Sequence, residues 1–338
     1  MAEAGADEPP NYRILSIDGG GIRGVFPAAF LAALQKKLEH PIANYFDLIA
    51  GTSTGGIIAI GLGLGIPASE ILRLYEEEGP RIFGQDHHPA MNWLLQKARG
   101  LKQLYRAKHS SQELRRALEK VLKDRRLGES QTRLVVPSWD AETERVYIFK
   151  TAHHKRLQHD YKDLALDAAM ATAAAPSYLQ PHLTSDEVEL VDGGVWATNP
   201  ICVATIEAIG MLGWPNHALR VLSIGTIAEI KVPPRLQGFM PLAFHGYVTG
   251  FFMAGQSHGA MGAAKILTGD GHYGRQAIWR VDQHAPVGRF TLDSTARIRA
   301  MKGRAVVEAR DQLPKLRDHF FYAPAEPFVP IHPLEIPA

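Results

Sequence analysis

Three stretches of the sequence each place a reactive or hydrogen-bonding group beside glycine at the end of an apolar run. In Phe46 to Ile60 a short apolar run leads into Gly51-Thr52-Ser53-Thr54-Gly55 and a second apolar run follows, which reads as strand, elbow and helix with Ser53 at the bend. Gly51 and Gly55 supply backbone freedom and close approach on either side of one hydroxyl. Such a turn lifts the Ser53 oxygen above the end of a sheet, beside unpaired N–H groups of a helix N-terminus that stabilise negative charge on a reacting oxygen. The second stretch, Asp18-Gly19-Gly20-Gly21-Ile22-Arg23-Gly24, follows the run Arg13 to Ile17 and offers backbone N–H groups. The third, Val188 to Val191, delivers Asp192 into Gly193-Gly194. A hydroxyl, a carboxylate and fixed N–H donors are what acyl transfer from an ester requires: a nucleophile, a base for its proton, and donors where oxyanion charge develops.

The elements that must hold these groups follow from periodicity. Arg13 to Ile17 reads as a strand and Val25 to Leu38 as an apolar-periodic helix, so the first glycine turn is an anion cradle. Gly19, Gly21 and Gly24 formally match the dinucleotide fingerprint Gly-x-Gly-x-x-Gly. Asp47 argues against that use. A ribose-binding carboxylate belongs at the far end of the second strand, where Ser53 stands, whereas Asp47 is at its start. The helix after Ser53 ends at Gly65-Ile66-Pro67, and Ala68 to Glu78 reads as a surface helix. Leu134 to Pro137 and Arg145 to Phe149 form a hairpin at the sheet edge, Asp167 to Ala175 an alanine-rich helix, and Leu219 to Thr226 a buried strand. Asn199-Pro200 caps another helix. Leu236 to Ala264 carries no Lys, Arg, Asp or Glu and reads mainly as core helix, with an acyl-chain channel or a membrane-touching cap as the other reading. A strand from Gln276 to Val281 and a basic helix from Thr295 to Phe320 close the order.

The totals bound what such a site serves. At 338 residues, 46% hydrophobic and 21% charged, the chain fits one large α/β core. The formal charge of +2 gives no global field for DNA or RNA, and neither is an expected partner. Residues 97–126 do hold 11 Lys and Arg against 3 Asp and Glu, read as a solvated helical face or else a patch for anionic lipid or a phosphate-bearing regulator. Cys202 is a single cysteine among apolar residues, so a small core residue in a reducing compartment is expected. The start of the chain lacks a basic region followed by an apolar segment, which points to the cytoplasm. Leu48 to Ala68 is uncharged, but its glycine-rich turn would break the backbone in hydrocarbon, so a buried strand and helix explain it better than a membrane span. The expected layout is a loose arm at 1–11, one domain at 12–322 and a Pro-rich tail at 323–338. No motif specifies oligomeric state.

With Asp18 to Gly24, Gly51 to Gly55 and Asp192 to Gly194 in this order, the chain resembles the patatin-like phospholipase family. That resemblance implies an α/β fold: a single three-layer domain with a mostly parallel central sheet flanked by helices. It implies hydrolysis of phospholipid acyl esters at a membrane surface by a Ser53–Asp192 dyad, without metal or cofactor. Gly51 and Gly55 would form the nucleophile elbow and Gly193 and Gly194 the turn of the base. The oxyanion hole would come from Gly19, Gly20, Gly21, Ile22 and Arg23, with Arg23 holding the loop or meeting phosphate. A carboxylate near its ordinary pKa is a weak base at neutral pH, so burial must raise Asp192 or hydrogen bonds must favour proton transfer in the transition state. Compact bacterial members resemble antiphage effectors switched on by cyclic oligonucleotides, so a cyclic dinucleotide is a candidate activator. Two other readings stand beside this one. One is a Ser-Asp-His triad using His217, His245, His258 or His272, all of which follow Asp192; the other is a nucleotide-binding regulator on an inactive hydrolase fold.

Overall fold

Along Tyr12–Ile17 (β1) successive side chains leave on opposite sides of the backbone, and both sides are covered. Leu15 and Ile17 join one apolar cluster and Ile14 joins another; the same division runs through Leu48–Gly51 (β2), Arg133–Asp140 (β3) and Leu219–Ile230 (β7). Burial on both faces is why these strands read as continuous apolar runs, the pattern of a parallel sheet between helices. The computed structural model describes residues 11–83, 111–230, 245–286 and 289–334. All but the last residue of the expected arm, residues 97–110 of the basic block and residues 236–244 of the uncharged stretch lie outside these.

The sheet is completed by Arg145–Lys150 (β4), His182–Leu183 (β5), Glu189–Asp192 (β6) and Ile278–Pro286 (β8). Its order is β5-β6-β3-β2-β1-β7-β8, with β4 paired to β3. The central pairs are parallel, and β3–β4, β3–β6 and β5–β6 are antiparallel. In chain order the helices are α1 (Val25–Gln35), α2 (Thr54–Gly63), α3 (Ala68–Ile82), α4 (Ser111–Leu122), α5 (Ala165–Ala173), α6 (Gly194–Ala197), α7 (Ile201–Ile206), α8 (His245–Thr268) and α9 (Ile298–Phe320). Helices α1 to α5 and α9 cover one face, and α7 with part of α8 covers the other. The fold is therefore a three-layer α/β arrangement with a mostly parallel sheet.

One detail of register positions the site. Leu48 to Ala50 of β2 pair in parallel with Arg133 to Val135, while Leu190 to Asp192 of β6 pair antiparallel with Asp140 to Ser138. Residues 135 and 138 are each paired to β4 as well, so β2 and β6 share the opposite edge of β3 and run toward each other. Their C-terminal ends meet across Val136 and Pro137. Proline fits there because its carbonyl faces the gap, where it accepts a hydrogen bond from Thr172 Oγ1 at 2.6 Å, and its missing N–H falls where no strand stands to receive it.

Two expectations are corrected. The described part of the uncharged stretch is not core: of the described side chains of α8 only Ala264 and Thr268 are buried, and Phe251, Phe252 and Ile266 are more than 60% exposed. Among its described side chains the apolar residues do not gather on one stripe, and those that join the apolar cluster on this face of the sheet are Ala260, Met261 and Ala264. Cys202 is half-buried on α7 rather than a core residue, and burial pushes its thiol pKa up. The described part of the Pro-rich tail is tied to the body: Ala325 N–H donates to Asn44 O at 2.6 Å and Ile331 N–H to Ala152 O at 2.8 Å.

Candidate active site

Ser53 stands at the N-cap of α2 with φ of 57° and ψ of −128°, a backbone state that a residue bearing a Cβ rarely adopts. Neighbouring contacts hold it there. Its N–H donates to Thr172 Oγ1 at 3.0 Å, and that hydroxyl donates to Pro137 O. The elbow closes only with glycine, because a Cβ on Gly51 would fall on the carbonyl of Gly55 and one on Gly55 on the carbonyl of Ile17. The turn chemistry visible in the sequence is thus a crossing of backbones at the head of the helix.

From the opposing strand, Asp192 presents both carboxylate oxygens to fixed donors. Ser53 Oγ donates to Oδ2 at 2.6 Å and the Gly194 N–H donates to Oδ1 at 2.6 Å. Residues 139 apart in sequence are therefore in direct contact. Burial pushes the Asp192 carboxyl up to about 7, against the two donors, which favour its charged form. Gly193 turns the chain against Pro137 O, where a Cβ would not fit.

The loop after β1 narrows the expected oxyanion set. The N–H of Gly19 donates to Thr198 O at 2.9 Å, that of Ile22 to Leu292 O at 2.8 Å, and that of Arg23 to Gly20 O at 3.2 Å. These three donors are spent on holding the loop. The N–H groups of Gly20 and Gly21 make no backbone hydrogen bond among the described residues, so they alone in the loop remain as donors for an anion. Gly21 has a φ of 57°, and a Cβ there would strike Leu292 O. Arg23 braces the loop from outside through Nε to Gly20 O and Nη1 to Ile227 O at 3.0 Å.

A residue that sequence reasoning missed anchors the start of this loop. Arg280 of β8 donates to both oxygens of Asp18, at 2.9 and 2.6 Å, to Ser223 Oγ at 2.7 Å and to Asp282 at 3.2 Å. Burial opposes its charge, but the two carboxylates outweigh burial and the guanidinium pKa is pushed up. No local motif marks Arg280, since its pairing depends on β8 reaching the sheet beside β7.

Ser53 and Asp192 open into a cavity of about 370 Å³ whose walls include Ile57, Leu74, Ile82, Phe83, Leu114 and Leu179. Such a lining suits hydrocarbon. Among the described side chains no histidine bonds to Ser53 or Asp192: His258 is an exposed residue of a neighbouring cleft, and the side chain of His245 lies outside the described residues. Among the described residues no three His, Cys, Asp or Glu side chains converge as metal ligands would.

A family model described as patatin-like phospholipase matches residues 15–205, more than half of the chain. The chain belongs to the patatin-like phospholipase family. Among relatives of this patatin-like chain is a cGAMP-activated phospholipase of Pseudomonas aeruginosa, 39% identical over 222 residues, covering 64% of this chain and 63% of that one. Patatin-like protein 2 of Arabidopsis thaliana is 39% identical over 257 residues, covering 65% and 61%. A cGAMP-activated phospholipase of Escherichia coli is 32% identical over 242 residues, covering 68% and 66%. The chain thus spans under two thirds of the length of each of these relatives.

Proposed function

We propose that this chain is a lipid acyl hydrolase of the phospholipase A or lysophospholipase type, working through Ser53 and Asp192. The observation that carries the reading is the 2.6 Å contact between Ser53 Oγ and Asp192 at an apolar cavity. Ser53 Oγ attacks the ester carbonyl carbon while Asp192 takes its proton, and the carbonyl oxygen gathers charge beside the Gly20 and Gly21 N–H groups. The tetrahedral adduct collapses by breaking the bond to the alcohol oxygen, which receives the proton from Asp192. Water then attacks the acyl-enzyme with Asp192 again as base; fatty acid departs and Ser53 regains its hydrogen. Asp192 must be ionised at each attack, so kcat/KM is expected to climb as pH rises through about 7 and to level off above it. A pH profile on a soluble ester checks this, and a profile flat between pH 5 and 8 counts against Asp192 as the base.

The relatives named cGAMP-activated phospholipases support a finer reading: a cyclic dinucleotide switches the enzyme on, and it degrades membrane phospholipid from the cytoplasmic side as an antiphage effector. The test is fatty-acid release from phospholipid vesicles by wild type and Ser53→Ala, each with and without cGAMP. Release by wild type, lost in Ser53→Ala, is expected, with cGAMP raising it from a low basal rate. Equal release with and without cGAMP sinks the gating, and equal release by both proteins sinks the serine mechanism.

A further inference from the structure

Helix α6 is four residues long, so each of its carbonyls is a terminal one that looks outside the helix for a donor. Three of them are met by side chains. Thr198 Oγ1 donates to Gly194 O at 3.0 Å, Gln256 Nε2 to Val195 O at 2.6 Å, and Thr52 Oγ1 to Ala197 O at 2.7 Å. So short a helix has no stability of its own, and these donors set where it lies.

What α6 touches makes that placement matter. Its first residue, Gly194, gives its N–H to Asp192 Oδ1, and the residue that follows it, Thr198, accepts the Gly19 N–H of the oxyanion loop. The Thr52 hydroxyl reaches it from the position next to Ser53. Base, oxyanion loop and nucleophile elbow therefore all bear on one turn of helix.

Thr52 and Thr198 belong to the segments they tie, but Gln256 is brought in from α8. Its amide works at both ends: beside the bond to Val195 O, its Oε1 accepts Thr198 Oγ1 at 3.2 Å. A carbonyl only accepts, so Val195 O fixes which end of the amide faces it. Gln256 thus spans α6 from its second residue to the one beyond its end. It is not among the described walls of the catalytic cavity, so it acts through other residues rather than on substrate.

We propose that Gln256 is a positioning residue for hydrolysis: its amide clamps α6, and α6 in turn holds Asp192 and the oxyanion loop in register at the ester. The proposal rests on the acyl hydrolase reading given above and adds to it a part played by α8. The buried side chains of α8, Ala264 and Thr268, lie further along the helix, so the clamp joins a largely exposed stretch of helix directly to the catalytic groups.

The experiment measures kcat, KM and the pH profile on a soluble ester, with cGAMP present throughout, for wild type, Gln256→Met and Ser257→Ala. Methionine keeps the unbranched stem and removes both hydrogen bonds, and Gln256 is only half-buried, so folding is not threatened. Ser257→Ala removes the neighbouring bond from Asn199 Nδ2, at 3.3 Å, which ties α8 to the chain beyond α6. Gln256→Met is expected to lose about ten- to a hundredfold in kcat with KM unchanged, the mark of misplaced reacting groups. Its pH midpoint is expected above that of wild type, because a loosened Gly194 N–H favours the charged carboxylate less. Ser257→Ala is expected to keep the wild-type kcat and midpoint. Wild-type kcat in Gln256→Met overturns the proposal, as does a loss confined to KM or an equal loss in Ser257→Ala. Hydrogen exchange on the same proteins reads the clamp without turnover: the Gly19 and Gly194 amides are expected to exchange faster in Gln256→Met, and equal exchange overturns the proposal. An ester left intact by wild type overturns the hydrolase reading instead, with exchange still deciding the clamp.

Discussion

Asp192→Asn is expected to keep the fold and to lower turnover by about 10²–10⁴-fold, the range that a positioned base contributes. An amide oxygen can still accept the Gly194 N–H and the side chain keeps its size, but it cannot take the Ser53 proton. Stability is expected to hold for a separate reason. Burial raises the Asp192 pKa to about 7, above the ordinary carboxylate value, so the folded state binds a proton that the unfolded chain releases. Wild-type stability therefore falls as pH rises from that ordinary range through about 7, and a neutral amide escapes the loss. Thermal melts at pH 5 and pH 8 would show the variant gaining on wild type at the higher pH, while ester turnover shows the activity lost. The double variant Ser53→Ala, Asp192→Asn should be no slower than either single one, because groups acting as a unit are not additive. A further drop in the double variant would mean that the two residues act separately.

Arg280→Leu is expected to cost about 3 kcal/mol of folding stability, because it leaves the Asp18 carboxylate buried without its guanidinium. The companion variant Asp18→Asn, Arg280→Leu removes the stranded charge and should recover most of that loss. Urea unfolding of the two variants and wild type measures both. If the double variant is no more stable than Arg280→Leu alone, the cost lies in lost packing around β8 rather than in the unpaired charge.

What the sequence disclosed was whatever local backbone chemistry demands. The elbow at Gly51 to Gly55 needs glycine because backbones cross there, and the strands β1, β2 and β7 read as apolar runs because helices cover both of their faces. Ser53 and Asp192 were legible for the same reason, each being fixed at the end of a strand by a turn. Contacts made by distant chain escaped it. Thr172 holds the strained Ser53 amide from α5 and Arg280 holds Asp18 from β8, yet each is an unremarkable residue in its own segment. The five loop residues read as one oxyanion set were likewise indistinguishable until Thr198, Leu292 and Gly20 took up three of their N–H groups. Helix α8 misled in the other direction. Its composition suggested core, but burial follows the arrangement of apolar residues around a helix rather than their number.

The distance in sequence between Asp18 and Arg280 has a bearing on how such a chain is made. The two are 262 positions apart, and β1 pairs with β7, which lies beyond Asp192 in sequence. Synthesis proceeds at about 5–20 residues per second, so the segments carrying Ser53 and Asp192 emerge several seconds before the strand that secures the oxyanion loop. Until β7 and β8 dock, the loop lacks both its neighbour in the sheet and its guanidinium anchor. The polypeptide on the ribosome thus holds an unfinished site, and its oxyanion loop is secured only after β7 and β8 have been made.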